Sequence, residues 1–441
     1  MMNVNEARSA FSVLDREING RPLIYLDSAC MALKPDVVVE AMCSYYREFP
    51  GCAGLGRSNH RFGREVDDAV YQARESVRRF LNARPCDDDY ADYTPTREIV
   101  FTRNATEAIN LIARGYPFGE NAAVLTTDRE HNSNLCPWQD LAAEGEVRHL
   151  WVPSKPDNTF DLAACEDILE RERVELVSMV HVSNLDGYEI PVAEIIEMAH
   201  AHGARVMLDA AQSAPHLPID VQALDVDFLA LSLHKVFGPT GVGVLYGREE
   251  LLDDRALRPL VSGGDTVEDT ALGRPPEYLD APFRFEAGLQ DYAGIIGAGA
   301  AVEFVRSVGL HDIRRHVDEL DAHLWERLAP MSEEFDIIGP AAPRRRNGIT
   351  TLCFRRRGIP SLFAEDISGA GDILDHWANI MVRTGEFCVH SWFEDRGIAR
   401  EREKLRVSLS LYNTPRECDA FADALERLIA LDEYRMLPRV P

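Results

Sequence analysis

The segment Leu224-Asp225-Val226-Asp227-Phe228-Leu229-Ala230-Leu231-Ser232-Leu233-His234-Lys235-Val236-Phe237-Gly238-Pro239-Thr240-Gly241-Val242-Gly243-Val244-Leu245-Tyr246-Gly247 decides how this chain is read. It is largely apolar over residues 226–233, ends in Ser-x-His-Lys, turns through Gly238-Pro239-Thr240-Gly241 and resumes as an apolar run. That is the pattern of a buried strand, a loop and a second strand. Lys235 therefore stands at the end of a strand. Lys34, Lys155, Lys235 and Lys404 are the only lysines among 47 Lys and Arg residues, so a lysine in an apolar setting points to a use for its amine. Burial favours the neutral amine, and a neutral amine is the nucleophile that condenses with an aldehyde cofactor. The plain alternative is a lysine snorkelling from a strand end to solvent; the neighbouring residues favour the chemical reading.

Working outward, Ser-x-His-Lys-x-x-Gly-Pro-x-Gly-x-Gly (residues 232–243) resembles the pyridoxal-phosphate lysine segment of the class V aminotransferase family, and most closely its branch of group II cysteine desulfurases and selenocysteine lyases. The similarity recurs in order from about Tyr25 to about Asn413. The resemblance implies an α/β fold of type I: a large domain with a mostly parallel sheet flanked by helices, and a smaller α+β domain at the C-terminal end. We expect residues 1–35 to pack near the active site, residues 36–294 to form the large cofactor-binding domain, and residues 295–441 to form the small domain.

Composition agrees with a soluble globular protein: 441 residues, 46% apolar and 27% charged, are enough for two domains with sizeable cores. The first twenty residues lack a signal-peptide core and no apolar run approaches membrane-spanning length, so a cytoplasmic location is expected. Nine cysteines without paired or CxxC spacing argue against a disulfide framework and a zinc site, and no metal is expected. The net charge of −26 repels nucleic acid and anionic membranes, so neither is an expected partner. The basic runs at 344–346 and 355–357 read as solvated faces. The acidic excess also fits a salt-rich cytoplasm, an idea that full activity in dilute buffer and loss of it in molar salt would sink.

Along the chain, Ile24-Tyr25-Leu26-Asp27-Ser28-Ala29-Cys30 reads as a short strand and turn, and resembles the family's Tyr-Leu-Asp-Asn/Ser-Ala approach to the active site. Gly56-Arg57-Ser58-Asn59-His60-Arg61 loosely matches a substrate-side segment, which implies a substrate-binding role for His60. Helical spacing follows over residues 66–81, then an acidic surface loop over residues 86–93. Ile99-Val100-Phe101-Thr102 is a strand that feeds Arg103-Asn104-Ala105-Thr106-Glu107-Ala108-Ile109-Asn110. A helix N-terminus there presents free amides to an anion, and Thr106 adds a hydroxyl. This turn resembles the family's cofactor-phosphate turn, with Ala105 and Thr106 as ligands. Glu130-His131-Asn132-Ser133-Asn134 follows another strand, and His131 matches the histidine that stacks on the cofactor ring and shuttles protons in the family. Further strands end at Asn184 and at Asp209, with Gln212 just beyond.

Intervening helical segments give βαβ units, whose sites form beyond the carboxyl ends of strands. Thr106, His131, Asn184, Asp209 and Lys235 all fall at such ends. A carboxylate such as Asp209 beside the cofactor's ring nitrogen keeps it protonated; opposite charges about 3 Å apart at an effective dielectric near 20 interact by roughly 5 kcal/mol before desolvation. By resemblance, Asn184 and Gln212 bond the ring hydroxyl, and Ser232 and His234 bond the phosphate. Arg284-Phe285-Glu286-Ala287-Gly288-Leu289 matches a segment whose threonine reaches the partner subunit's cofactor in the family, but Leu289 stands in its place. A leucine lacks that donor, which leaves a homodimer expected without this contact.

In the smaller domain, Arg383-Thr384-Gly385-Glu386-Phe387-Cys388 resembles the segment bearing the nucleophilic cysteine of group II desulfurases. Sulfur transfer needs a thiolate, because the reaction leaves the sulfur on Cys388 as a persulfide. Glu386-Phe387 replaces the family's frequent His-His, and a glutamate nearby tends to raise a thiol pKa. The segment 405–413 alternates like a strand, and Arg406 matches the arginine that forks onto the substrate carboxylate, with Arg383 and Asn184 beside it. The expected activity is that of a pyridoxal-phosphate-dependent cysteine desulfurase acting on a small amino acid, with a sulfur-acceptor protein as a possible partner. Lys235, Asp209, His131 and Cys388 are its expected catalytic residues. Leu289 and Glu386-Phe387 keep open another reaction on the same cofactor, such as a C–S lyase, a selenocysteine lyase or an amino-acid epimerase. A catalytically silent sulfur-carrier scaffold is the other alternative, and it has no need of Lys235 or Asp209.

Overall fold

The computed structural model describes residues 3–53, 58–341, 346–359 and 369–439. Gly56 and Arg57 of the substrate-side segment, and Arg344 and Arg345 of the first basic run, lie outside these residues. The central feature is a seven-stranded sheet in the spatial order β2-β8-β7-β6-β5-β3-β4. Its strands are β2 (Ile99–Thr102), β3 (Ala123–Thr127), β4 (Arg148–Val152), β5 (Val174–Val180), β6 (Arg205–Asp209), β7 (Phe228–Ser232) and β8 (Gly243–Gly247); a short β1 (Ile24–Tyr25) lies elsewhere. Only β8 runs against its neighbours, pairing antiparallel with both β2 and β7, while β3 to β7 pair in parallel.

The near-continuous apolar runs follow from burial on both faces. Successive side chains of a strand point to opposite faces: Leu229 and Leu231 join one apolar core, whereas Phe228 and Ala230 join another. The first core holds α2 (Arg61–Leu81) and the second holds α3 (Ala105–Gly115) and Trp138 of α4 (Asn132–Glu144). Gly243 is required where β8 meets the start of α3, since a Cβ there would lie 2.5 Å from the Asn104 backbone. The acidic segment at residues 86–93 does not float free. Its short 3-10 turn is held by Arg97, which pairs with Asp88 and stacks on the Tyr90 ring at 4.4 Å.

A second sheet of four antiparallel strands has the order β9 (Phe335–Ile337), β10 (Ile349–Arg357), β13 (Arg402–Ser408) and β12 (Arg383–Thr384). Its core joins Leu352, Phe354, Leu405 and Val407 to Leu320 and Leu324 of a long helix, α5 (Leu310–Leu328). The strand expected at 405–413 starts three residues earlier and stops at Ser408, beyond which Asn413 accepts the Ser410 amide and turns the chain. β11 (Ile380–Met381) pairs in parallel with β1, which carries the N-terminal segment to the smaller sheet. Among the described residues no single helix is long and apolar enough to cross a membrane.

Candidate active site

One cavity of about 230 Å³ opens where the carboxyl ends of β2, β3, β5, β6 and β7 face β12 and β13. Lys235, Asp209, His131, Asn184, Gln212, Ala105, Thr106, Ser232, His234, Arg383, Arg406 and Cys388 all line it. His60 does not. It caps the N-terminus of α2, where its Nδ1 accepts the Gly63 amide at 3.2 Å, and that bond keeps the ring exposed and away from the cavity. Segments as far apart in sequence as Ala29 and Arg406 meet here because β7 delivers Lys235 and the second sheet closes over it.

Lys235 follows β7 on a single 3-10 turn, Leu233–Lys235. Burial pushes its amine below the usual lysine range, against the opposing pull of Asp209. Asp209 is 5% exposed, and its Oδ1 accepts the Ala211 amide at 3.0 Å. Burial raises its pKa even though Lys235 lowers it, so the carboxylate lacks a full cationic partner. His131 caps α4, its Nδ1 accepting the Ser133 amide at 3.1 Å. Burial and the positive charges of Lys235 and Arg406 push it down to about 3, which leaves a neutral imidazole at neutral pH.

At the other side, Ser232 Oγ accepts the Ala105 amide at 2.8 Å, and the Thr106 hydroxyl shares a 2.7 Å hydrogen bond with Ser133. These groups gather hydroxyls and amide donors at the N-terminus of α3, a donor set suited to an anion. Gln212 is engaged elsewhere, donating to the Ala29 carbonyl at 2.8 Å. Asn184 donates to the Phe387 carbonyl at 2.8 Å, and its buried Oδ1 has no partner.

Arg383 and Arg406 face one another across the β12–β13 pair, an arrangement fit for a carboxylate. Arg406 is 3% exposed and is held by the Asn184 carbonyl at 3.0 Å, by Asp27 at 3.4 Å and by the Phe387 ring at 5.0 Å. A buried arginine on an apolar strand needs such partners. Phe387 and Cys388 are consecutive left-handed residues, with φ of 50° and 60°. This conformation costs free energy for residues with a Cβ. Asn184 holds the Phe387 carbonyl, the Asn132 amide donates to the Cys388 carbonyl at 2.8 Å, and Cys388 stays exposed. Glu386 acts differently from the sequence-based expectation. It pairs with the buried ammonium of Lys404 at 3.6 Å and lies 3.8 Å from the His390 ring, so its negative charge has a cationic partner of its own.

Three groups escaped the sequence reading. Glu130 is fully buried behind the cavity, bonded to Thr127, Asn134 and the Val180 amide, and burial pushes it up to about 7. Lys34 donates to the His234 carbonyl at 2.9 Å and is pushed down to about 8 by burial. Lys404 lies under the Cys388 loop at 2% exposure. The scarcity of lysine was the available signal for the last two; Glu130 had none beyond its place beside His131.

The Aminotransferase class-V family model matches residues 24–421 of the chain. A probable cysteine desulfurase of Halalkalibacterium halodurans is 37% identical over 432 residues, 97% of this chain and 98% of that protein. A cysteine desulfurase of Escherichia coli is 35% identical over 431 residues, with the same coverage of 97% and 98%. Among solved structures, the apo cysteine desulfurase of Thermococcus onnurineus superposes with a TM-score of 0.84 at 31% identity, over 97% of this chain and 98% of that one. The cysteine desulfurase CsdA of Escherichia coli, in an S-sulfonic acid form, superposes with a TM-score of 0.81 at 30% identity, over 97% and 99%. The fold is accordingly the α/β fold of type I pyridoxal-phosphate enzymes, and the chain belongs to the class V aminotransferase family.

Proposed function

We propose that this protein is a pyridoxal-phosphate-dependent cysteine desulfurase, converting L-cysteine to L-alanine and transferring the sulfur to Cys388 as a persulfide. The observation that carries the reading is the meeting of Lys235, Asp209, Arg406 and Cys388 in one cavity. The residues present fit the cofactor. Asp209 is a buried carboxylate short of a cation, Asn184 Oδ1 is a buried acceptor without a donor, and the start of α3 is an anion cradle. When bound, the cofactor supplies an electron sink and a covalent handle for the substrate's amino group.

Burial lowers the Lys235 pKa, which eases release and return of a proton at its Nζ. Asp209 would stabilise positive charge at the ring nitrogen, and Ser232, Thr106 and the α3 amides would hold the phosphate. Neutral His131 packs without adding charge. Arg406 and Arg383 orient the substrate carboxylate, which turns the substrate's Sγ toward the exposed Cys388. The protein is expected to work in a reducing cytoplasm, in keeping with its nine free cysteines, as a homodimer that hands sulfur to an acceptor protein. Leu289 and Val261, 71% and 54% exposed beside a cavity of about 530 Å³, supply apolar surface in place of the family's cross-subunit threonine contact.

The test is the visible spectrum of the purified protein, followed by sulfide and alanine assays with L-cysteine and a reductant. Equal sulfide and alanine, abolished in Cys388→Ser, support the reading. A cofactor band without alanine would leave the fold and discard the reaction.

A further inference from the structure

We infer that Cys136 is a second sulfur-carrying thiol, which takes the sulfane sulfur from Cys388 within the same chain; this rests on the persulfide chemistry proposed above. The Cys388 carbonyl docks on the Asn132 amide at 2.8 Å, in the first turn of α4. The same residue's side chain lies 3.1 Å from His390, so both sides of the cysteine loop rest on this turn. Cys136 is four residues further along α4, on the same face and one turn away. A helical Cα–Cβ bond tilts toward the helix N-terminus, which aims Cys136 back at the docked loop. Cys136 and Cys388 are the two exposed cysteines of the chain, and the other seven are half-buried or buried. Burial and then Asp140 raise the Cys136 pKa, with the nearby Cys388 adding the smallest contribution.

The step balances without an external oxidant. The Cys136 thiolate attacks the outer sulfur of the Cys388 persulfide and forms a new S–S bond. The bond between that sulfur and Cys388 Sγ breaks, and the electron pair leaves on Cys388 as a thiolate. The proton lost from Cys136 goes to solvent. Cys388 is thereby freed for another turnover, and the sulfur is parked on a helix outside the cavity. Because the Cys136 thiol is raised, transfer quickens as pH rises.

The cofactor-loaded protein is given L-cysteine without an acceptor, trapped with iodoacetamide, and mapped by peptide mass spectrometry. The expected result is one added sulfur on the Cys388 peptide and, later, on the Cys136 peptide. Cys388→Ser should lose both signals, and Cys136→Ser should lose only its own. Sulfur on Cys388 with none on Cys136 overturns the relay alone, and so does labelling of Cys136 that persists in Cys388→Ser. No sulfur on Cys388 overturns the desulfurase reading and the relay with it. A short bis-alkylating thiol reagent applied to the resting protein gives an independent check. It should link the Cys136 and Cys388 peptides, and failure to link them overturns the placement.

Discussion

At the scale of single residues, Lys235 and Cys388 carry separable parts of the chemistry. Lys235→Ala should remove the cofactor's visible band and lower alanine formation by at least about a thousandfold, as expected where a residue supplies both the nucleophilic amine and the proton transfer. Cys388→Ser should keep the band and lose cysteine turnover, which spectra and alanine assays on the two variants separate. His131, pushed to about 3, stays neutral across the working range. The profile of kcat/KM against pH should therefore show no limb near 6.5 that disappears in His131→Gln. The sequence made most of these residues legible because each ends a strand, and a parallel sheet collects such ends at one place. His60 caps a helix and does not line this cavity, and nothing local in the sequence tells an imidazole that caps from one that binds.

Elements decide how well those residues are aimed. The left-handed pair Phe387-Cys388 is held by Asn184, Asn132 and the face of Arg406. Phe387→Ala removes the ring under the guanidinium, a contact worth about 1–2 kcal/mol when shielded from water. KM for cysteine should rise about tenfold while cofactor content, read from the spectrum, stays unchanged. On α5, buried Asp321 accepts the Gly348 amide at 2.8 Å through one oxygen, and its other oxygen has no partner. Burial raises it from 3.8 to about 7. The native state therefore binds a proton that the unfolded state has lost, and stability from this group falls as pH rises through that interval. Asp321→Asn keeps an acceptor for Gly348 and carries no charge. Denaturant unfolding at pH 5 and pH 8 should show the variant gaining on the parent by up to a few kcal/mol at the higher pH. The strands were readable from apolar runs with Gly and Pro boundaries. The pairing of Glu386 with Lys404 was not, because the two lie on different segments brought together only by the smaller sheet.

For the molecule as a whole, a net charge of −26 on 441 residues means self-repulsion that salt relieves. Thermal unfolding should shift upward by several degrees between dilute buffer and molar potassium chloride; an unchanged or lower midpoint would argue against a salt-adapted surface. Light scattering at micromolar concentration should report twice the chain mass if the apolar rim around Leu289 is buried between copies. The two-sheet plan was visible in the order of motifs, while the closure of one sheet over the other depends on contacts hundreds of residues apart that no local pattern encodes. The use of lysine has a further consequence. Lys34 and Lys235 are half-buried, Lys404 is buried, and Lys155 alone stands open to solvent. Reagents that acylate side-chain amines should thus meet a surface built almost wholly of arginine and acid, and attach at Lys155 first. This gives a nearly single-point handle for dyes or supports on a residue that does not line the cavity.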